Sequence, residues 1–143
     1  MVALMAKQHT HYDHLTGRFK ALGHPARLRI VAVLRDGELC VCQITALLQL
    51  APSTVSAHLA ELRRAGFLNE RRDGRWVYYG LATGADARRD LARVWAAVAD
   101  DDRVSADARA ARVLRGIPVE EFCRMDDAAA AALTTDRRPG IEP

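Results

Sequence analysis

Two apolar patterns at helical spacing, over residues 38–48 and 52–64, follow each other closely in the middle of the chain and constrain its fold most. The second pattern opens with Pro52 and small polar residues. Its apolar side forms a single stripe, which consists of Val55, Leu59 and Leu62. Two short helices joined by a tight turn are typical of a helix-turn-helix, whose second helix reads DNA.

Two segments of strand character follow the helix-turn-helix directly. They cover residues 67–72 and 75–81, on either side of the dipeptide Asp73-Gly74. Aspartate followed by glycine predicts a type I′ hairpin turn, which needs positive φ at both central positions. A helix-turn-helix followed by a hairpin is a winged helix. We therefore predict a mainly α fold with a small β-hairpin, in the winged helix-turn-helix class.

Further helical patterns flank this unit on both sides. Residues 11–22 and 25–35 precede it, and residues 85–99, 105–114 and 119–133 follow it, with Ser105 expected as a helix cap. The helix over 85–99 lacks a later element long enough to complete a core with it. We expect that helix to pack on the N-terminal helix of a partner subunit in a dimer.

These patterns predict four regions along the chain. Residues 1–10 form a flexible arm, and residues 11–99 form the winged-helix DNA-binding and dimerisation domain. Residues 100–133 form a helical C-terminal extension. Residues 134–143 are polar and contain two prolines, which predicts a disordered tail.

The charge distribution favours a polyanionic partner on the first two thirds of the chain. Residues 1–99 carry 14 lysine and arginine against 8 aspartate and glutamate, whereas residues 100–143 carry 7 against 10. The N-terminus shows no signal-peptide pattern, and no apolar run of about 18 residues occurs. We therefore expect a cytoplasmic protein with reduced thiols and no membrane partner.

Several motifs, in the same order along the chain, resemble the ArsR/SmtB family of metal-responsive repressors. Residues 21–30 are similar to the start of that family's second helix, residues 38–42 to its metal-binding box, residues 53–66 to its recognition helix and residues 74–79 to its wing. The resemblance covers about residues 15–98. It implies a homodimeric repressor that binds double-stranded operator DNA and leaves it when a metal ion binds.

The metal-binding box of the arsenic-responsive branch is the part that Cys40 and Cys42 resemble. That branch often carries a third cysteine three residues after the second, where this chain has Thr45. Soft thiolates select As(III), Sb(III) and similar ions, and As(III) favours three sulfurs. Because Cys123 is the only other cysteine, we predict As(III) or Sb(III) as the inducer, bound by Cys40, Cys42 and Cys123.

The spacing of Cys40 and Cys42 restricts the local structure. Residues two apart on a regular helix point about 200° away from each other, so this pair can share an ion only at an irregular helix start. A helix N-terminus also favours the thiolate.

Other triggers stay open on the same fold. Cys40 or Cys42 could pair with Cys123 as a sensor of oxidants or reactive sulfur. Cd(II), Zn(II) or Pb(II) are alternative ions, and three histidines of the N-terminal segment could complete such a site with Cys40 and Cys42. These histidines are His9, His11 and His14. The metal site that some relatives place on the dimerisation helix should be absent, since residues 85–99 contain no histidine.

Two groups of side chains are predicted to contact DNA. The first group lies on the recognition helix and faces the major groove; it consists of Ser53, Thr54, Ser56 and His58. The second lies at the hairpin tip and contacts phosphate or the minor groove; it consists of Arg71, Arg72 and Arg75. Ser53 could instead cap the helix. A dimer implies an inverted-repeat operator.

No catalytic residues are predicted. No histidine or acid lies at a helpful position near the cysteines, and no glycine-rich nucleotide loop occurs. We expect neither enzymatic activity nor an organic cofactor. His24 is expected to start the second helix rather than to bind a metal.

Overall fold

The computed structural model describes residues 11–135, which form helices around one small antiparallel sheet. The predicted disorder of the arm over 1–10 and of residues 136–143 lies outside the described residues. The elements are α1 (His11–Leu22), α2 (Pro25–Val33), β1 (Leu39–Cys40), α3 (Val41–Leu48), α4 (Pro52–Arg64), β2 (Leu68–Asp73), β3 (Trp76–Leu81), α5 (Ala85–Ala97), α6 (Asp102–Arg115), α7 (Val119–Phe122) and α8 (Asp127–Thr134).

The start of α2 is fixed by the two residues that the sequence pointed to. His24 is the N-cap, and its Nδ1 accepts a hydrogen bond from the backbone N–H of Ala26 at 3.1 Å. Pro25 occupies the first helical position, where its missing N–H costs nothing. The helix ends at Val33 rather than residue 35, because the chain tightens into a 3₁₀ turn and then reaches Gly37 with a φ of 141°.

The helix-turn-helix of α3 and α4 forms as predicted. The apolar stripe of α4 is fully buried against α2, α3 and β2 and consists of Val55, Leu59 and Leu62. Gln49 leaves α3 in the left-handed region, with a φ of 53°, and this turns the chain toward α4. The fold class, a mainly α winged helix-turn-helix, is confirmed.

The hairpin differs from the prediction in its turn. Asp73 pairs with Trp76, so the two-residue turn is Gly74-Arg75 rather than Asp73-Gly74. Only Gly74 has positive φ, at 57°, and this is the position where a type II′ turn needs glycine. A short third strand, β1, was not predicted. It pairs with β3 and places Cys40 opposite Tyr78, so the sheet order is β1-β3-β2.

The segment after the hairpin is more broken than expected. The helix predicted over 105–114 begins at Asp102, because Asp101 and not Ser105 caps it by accepting from the N–H groups of Arg103 and Val104. The helix predicted over 119–133 is split into α7 and α8 by a turn at residues 123–126. Asp126 starts α8 by accepting from the Ala129 N–H at 2.7 Å.

The C-terminal helices belong to the same core as the winged helix. Helix α6 packs on α2 and α3, and α8 packs on α3 and α6. Their buried residues join the central apolar cluster and comprise Ala111, Leu114, Phe122 and Ala130. At the end of α8, Thr134 and Thr135 are placed, although the tail was predicted to begin at 134.

Helix α5 ends at Ala97 rather than residue 99 and contacts α1 of its own subunit. Arg18 of α1 forms an ion pair with Asp90 of α5 at 2.6 Å. Leu91 is buried, and Trp95 lies half-buried against the core. Packing of α5 on a partner subunit stays a prediction.

Candidate thiol site and nucleic-acid interface

The three cysteines of the chain meet at one place. The sulfur atoms of Cys40, Cys42 and Cys123 all lie within 4.8 Å of one another, and this is the only group of three such ligand residues found in residues 11–135. Cys40 is buried, and the other two are half-buried. Neither His11 nor His14 joins the group, and His9 lies outside the described residues. Two segments far apart in sequence, the β1–α3 junction and the α7–α8 turn, therefore build a soft, sulfur-rich site.

The junction of β1 and α3 brings Cys40 and Cys42 together. Cys40 is the N-cap of α3 in an extended conformation, with φ −71° and ψ 151°. The helix predicted from residue 38 therefore begins only at Val41. Because Cys40 is not helical, the 200° divergence does not apply, and the Sγ atoms of Cys40 and Cys42 are 3.4 Å apart. The irregular helix start that a shared ion requires is present.

Gln43 locks this junction to the C-terminal extension. Its side-chain oxygen accepts from the Cys40 backbone N–H at 2.8 Å, and its nitrogen donates to the Leu114 carbonyl at 3.0 Å. Gln43 is the one buried polar residue in the described part of the chain. Both its polar atoms are satisfied, so it holds the Cys40 backbone against the end of α6.

The third sulfur comes from the turn between α7 and α8. Cys123 is the C-cap of α7, directly after Phe122, whose buried ring anchors the turn in the core. Cys42 and Cys123 are paired as a disulfide with their Cα atoms 6.6 Å apart, whereas Cys40 is a free thiol. That Cα separation lies within the range that disulfides span without backbone movement. The same arrangement can therefore support a disulfide or, when reduced, three thiols around an ion.

Thr45 stands where arsenic-responsive relatives often have their third cysteine. Its hydroxyl donates to the Val41 carbonyl at 2.8 Å, so it is engaged within α3. Thr45 is three residues after Cys42 and lies on the same helix face. Thr45 supplies no sulfur, and the third sulfur near Cys40 and Cys42 is that of Cys123.

An ion pair connects Glu38, the residue directly before β1, to the wing. The Arg71 Nε donates to both carboxylate oxygens of Glu38 at 3.1 Å, and the Arg71 guanidinium stacks on the Tyr78 ring at 4.3 Å. Tyr78 lies opposite Cys40 in the sheet. Desolvation raises the pKa of Tyr78, and the nearby Cys40 sulfur raises it further. The hairpin and the thiol site therefore share an electrostatic contact.

The predicted major-groove residues at the start of α4 are open to solvent. Ser53, Thr54 and Ser56 are exposed, and Pro52 holds the first helical position. The N-cap is Ala51 and makes no side-chain cap bond, so Ser53 does not cap the helix. These three side chains are available for contact with base edges.

His58 has a different environment from those residues. It is half-buried, with its ring 4.4 Å from the His24 ring and its Nδ1 3.4 Å from an Arg27 nitrogen. Desolvation, followed by the charges of His24 and Arg27, lowers the pKa of His58. His58 thus connects α4 to the start of α2, and its contact with DNA stays a prediction.

The three wing arginines are exposed but not equally engaged. Arg71 pairs with Glu38, and Arg72 pairs with Glu70 at 2.9 Å. The hydrogen bond from Arg72 is the main reason that the pKa of Glu70 is lowered. Arg75 stacks on Trp76 at 4.6 Å, and no carboxylate pairs with it among residues 11–135. A phosphate would meet Arg75 without first displacing an acidic partner.

Three functional candidates were missed from the sequence. Glu38 and Tyr78 became visible only with strand β1, a two-residue element too short for periodicity to reveal. Gln43 was hidden because a single glutamine in an apolar helix reads as an exposed residue. Its spacing of three from Cys40 matches that of a helix-capping pair and was the available signal.

The central part of the chain is similar to known transcriptional regulators. The family model described as bacterial regulatory protein, arsR family, matches residues 24–70. An arsenic resistance transcriptional regulator of Pseudomonas putida is 50% identical over 64 residues, which is 44% of this chain and 50% of that protein. The arsenical resistance operon repressor of Escherichia coli is 45% identical over 65 residues, 45% of this chain and 56% of that protein. The chain thus spans about half the length of these curated relatives.

A solved structure extends the match beyond the central motifs. It is the homodimeric winged helix-turn-helix DNA-binding domain of a possible ArsR-family transcriptional regulator from Mycobacterium bovis. It is 30% identical with a TM-score of 0.58, and the match covers 70% of this chain and 92% of that one. These relatives are transcriptional regulators and not enzymes. No helix within residues 11–135 is long and apolar enough to cross a membrane.

Proposed function

This chain belongs to the ArsR family of bacterial regulatory proteins, and from that premise we propose that it is a DNA-binding transcriptional repressor whose inducer is trivalent arsenic or antimony. In this proposal a homodimer occupies an operator and leaves it when As(III) or Sb(III) binds Cys40, Cys42 and Cys123. The names of the Pseudomonas putida and Escherichia coli relatives favour arsenic as the signal.

The convergence of the three sulfurs is the observation that carries the proposal. They lie within 4.8 Å of one another, and one comes from each of β1, α3 and the α7–α8 turn. Soft thiolate ligands select soft ions, and a site of three sulfurs matches the coordination that As(III) favours. The reduced protein supplies that set without a large rearrangement, because Gln43 already holds Cys40 in place.

Exposed polar and basic groups support DNA as the partner. Ser53, Thr54 and Ser56 are exposed at the start of α4, and Arg75 lacks an acidic partner among the described residues. Side chains at the start of a recognition helix reach base edges, while wing arginines bind phosphate or enter the minor groove.

An exposed apolar face on α1 supports a homodimer. Tyr12, Leu15 and Phe19 have relative exposures of 74%, 40% and 58%. Aromatic side chains left in solvent on one helix are typical of an interface. The homodimeric Mycobacterium bovis relative supports the same assembly.

The contact between Glu38 and Arg71 offers a route from ion binding to DNA release. Drawing Cys40 toward an ion shifts β1, which follows directly after Glu38 and pairs with β3 of the wing. A displacement of Glu38 therefore changes the position of Arg71 and the tilt of the hairpin. Strand β1 pairs with β3 through only two residues, which permits such a shift at low cost.

A DNA-release titration tests the proposed function. Reduced protein on labelled operator DNA is titrated with As(III), Sb(III), Cd(II), Zn(II) and polysulfide, for the wild type and each Cys→Ser variant. As(III) and Sb(III) should release the wild type at the lowest concentrations, and each single variant should lose that response while binding DNA normally. Release by Cd(II) or Zn(II) alone would contradict the proposal and indicate another metal.

The pairing of Cys42 with Cys123 favours a second candidate, a repressor that senses oxidants or reactive sulfur. Their Cα atoms are 6.6 Å apart, so oxidation of two thiols by a peroxide or polysulfide can join them, with two protons and two electrons passing to the oxidant. Mass spectrometry of peptides from protein released by polysulfide should then show the Cys42–Cys123 crosslink. Release without a crosslink would remove this candidate.

A further inference from the structure

An open groove of about 890 Å³ begins at the three sulfurs. One wall is the α3 face that carries Cys42, Thr45 and Ala46. The opposite wall comes from the α7–α8 turn and α8, with Met125 and Ala131. The groove is much larger than a single ion needs, since roughly 150 Å³ suffices for a benzene ring inside a protein.

The walls of α3 and α8 next to the sulfurs suit an apolar substituent, whereas the wing contributes the charged residues Glu70, Arg72 and Arg75. On α3, Thr45 and Ala46 follow Cys42 by three and four residues, so small side chains cover the helix face next to the sulfur. Thr45 lines the groove, and its hydroxyl is already engaged with the Val41 carbonyl. Trp76 adds an aromatic surface from the wing.

We propose that this groove binds the organic substituent of a trivalent arsenical, R–As(III), whose arsenic is held by Cys40 and Cys42. The inference rests on the proposed function and names a ligand class for the same site. Cys40 and Cys42 are the pair whose sulfurs are 3.4 Å apart, close enough to chelate one atom. The substituent R takes the third position, on the side of Cys123, and extends between α3 and α8.

Binding exchanges the ligands of arsenic and needs no oxidant. A hydrated arsine oxide, R–As(OH)₂, exchanges two As–O bonds for two As–S bonds. Each thiol gives up its proton to a departing hydroxide, so two water molecules leave. Arsenic remains trivalent, and the thiols must only be reduced beforehand, because Cys42 is otherwise paired with Cys123.

Substitutions that fill the groove test its role. Calorimetry with phenylarsine oxide and with arsenite is done on reduced wild type, Ala131→Leu and Thr45→Leu, which add bulk to opposite walls. Ala132→Leu is the matched control, since Ala132 is the exposed neighbour of Ala131 on α8. Both groove variants should bind phenylarsine oxide at least about tenfold more weakly, the effect of overpacking by about 1.4 kcal/mol. Their arsenite affinity and the behaviour of Ala132→Leu should stay unchanged.

Cys123→Ser supplies an independent arm, because it removes a sulfur without filling the groove. It should bind arsenite at least about tenfold more weakly, through two sulfurs only, but keep phenylarsine oxide binding within about threefold. Equal loss of both ligands in this variant, or unchanged phenylarsine oxide binding in both groove variants, would overturn the inference while leaving arsenite induction intact. A wild type that binds neither arsenical would overturn the proposed function itself.

Discussion

At the scale of single residues, the site depends on one backbone change at Cys40. Because Cys40 is extended and Cys42 is helical, two sulfurs that a regular helix would separate lie 3.4 Å apart. Gln43 fixes this change by satisfying the Cys40 N–H and the Leu114 carbonyl together. Glu38, two residues before Cys40, forms an ion pair with Arg71 of the wing.

Replacing Glu38 tests whether that ion pair transmits the signal. Glu38→Gln should leave arsenite affinity unchanged and make the arsenite-induced drop in DNA affinity up to about fivefold smaller, because an exposed ion pair contributes only modestly. Fluorescence anisotropy with operator DNA measures both affinities. Glu61→Gln removes the same charge from the exposed pair with Arg64 and should leave the drop unchanged. An identical drop in wild type and Glu38→Gln would rule out this route.

His58 should make the fold less stable as the pH falls. Its folded-state pKa lies below the ordinary value of 6.5, because desolvation and the charges of His24 and Arg27 oppose protonation. The unfolded chain therefore binds more protons just below pH 6.5, and stability falls as the pH drops through that window. Urea unfolding from pH 7.5 to 5.5 should show a smaller decline for His58→Gln than for wild type. A larger decline in the variant would refute this assignment.

At the scale of elements, Gly37 sets the path from α2 into β1. Its φ of 141° lies where side chains are strained, and a Cβ there would lie 3.4 Å from the Arg115 Nε. Arg115 holds this loop by donating to the carbonyls of Val33 and Gly37. Gly37 and Arg115 therefore position strand β1, which carries Cys40.

Two glycine substitutions, which should change the free energy of unfolding in opposite directions, test the loop at Gly37. Gly37→Ala should lower the free energy of unfolding by about 1–3 kcal/mol, because the backbone conformation is strained for alanine. Gly17→Ala lies within α1 with open space around it, and should raise that free energy by up to about 1 kcal/mol. Denaturant unfolding measures both. A tolerated Gly37→Ala would show that the loop adopts another conformation.

Periodicity predicted most of the helices and both hairpin strands well, but it missed strand β1 and the break between α7 and α8. The bounds of α1 and α4 match the structure, since apolar spacing and a proline or glycine mark their ends. Strand β1 has two residues and no pattern of its own; it forms because β3 offers an edge. The three cysteines could be named from composition and resemblance, but the meeting of Cys123 with Cys42 depends on the break between α7 and α8.

At the scale of the whole molecule, the C-terminal extension packs against the winged helix. Leu114, Phe122 and Ala130 share the central core with the winged helix, and Cys123 reaches the thiol site from this region. The boundary predicted at residue 99 therefore separates no independent core. In the proposed function, an ion bound at the three cysteines would connect the C-terminal helices to the winged helix.

Dimerisation is the second property of the whole molecule that can be tested. Phe19→Glu places a charge on the exposed aromatic face of α1 and should shift the protein from dimer to monomer in sedimentation experiments. Operator affinity should fall with it, because a monomer reads only one half-site. Tyr12→Phe keeps the apolar surface and should remain dimeric. A dimeric Phe19→Glu protein would place the interface elsewhere.

The coordination of bound arsenic shows directly whether Cys40, Cys42 and Cys123 form one site. Reduced protein loaded with one equivalent of As(III) is measured by X-ray absorption at the arsenic edge, with Cys123→Ser as the comparison. We predict that arsenic has three sulfur neighbours in the wild type, and two sulfurs with one oxygen in Cys123→Ser. Two sulfurs or fewer in the wild type, or an unchanged spectrum in Cys123→Ser, would contradict a site built from Cys40, Cys42 and Cys123.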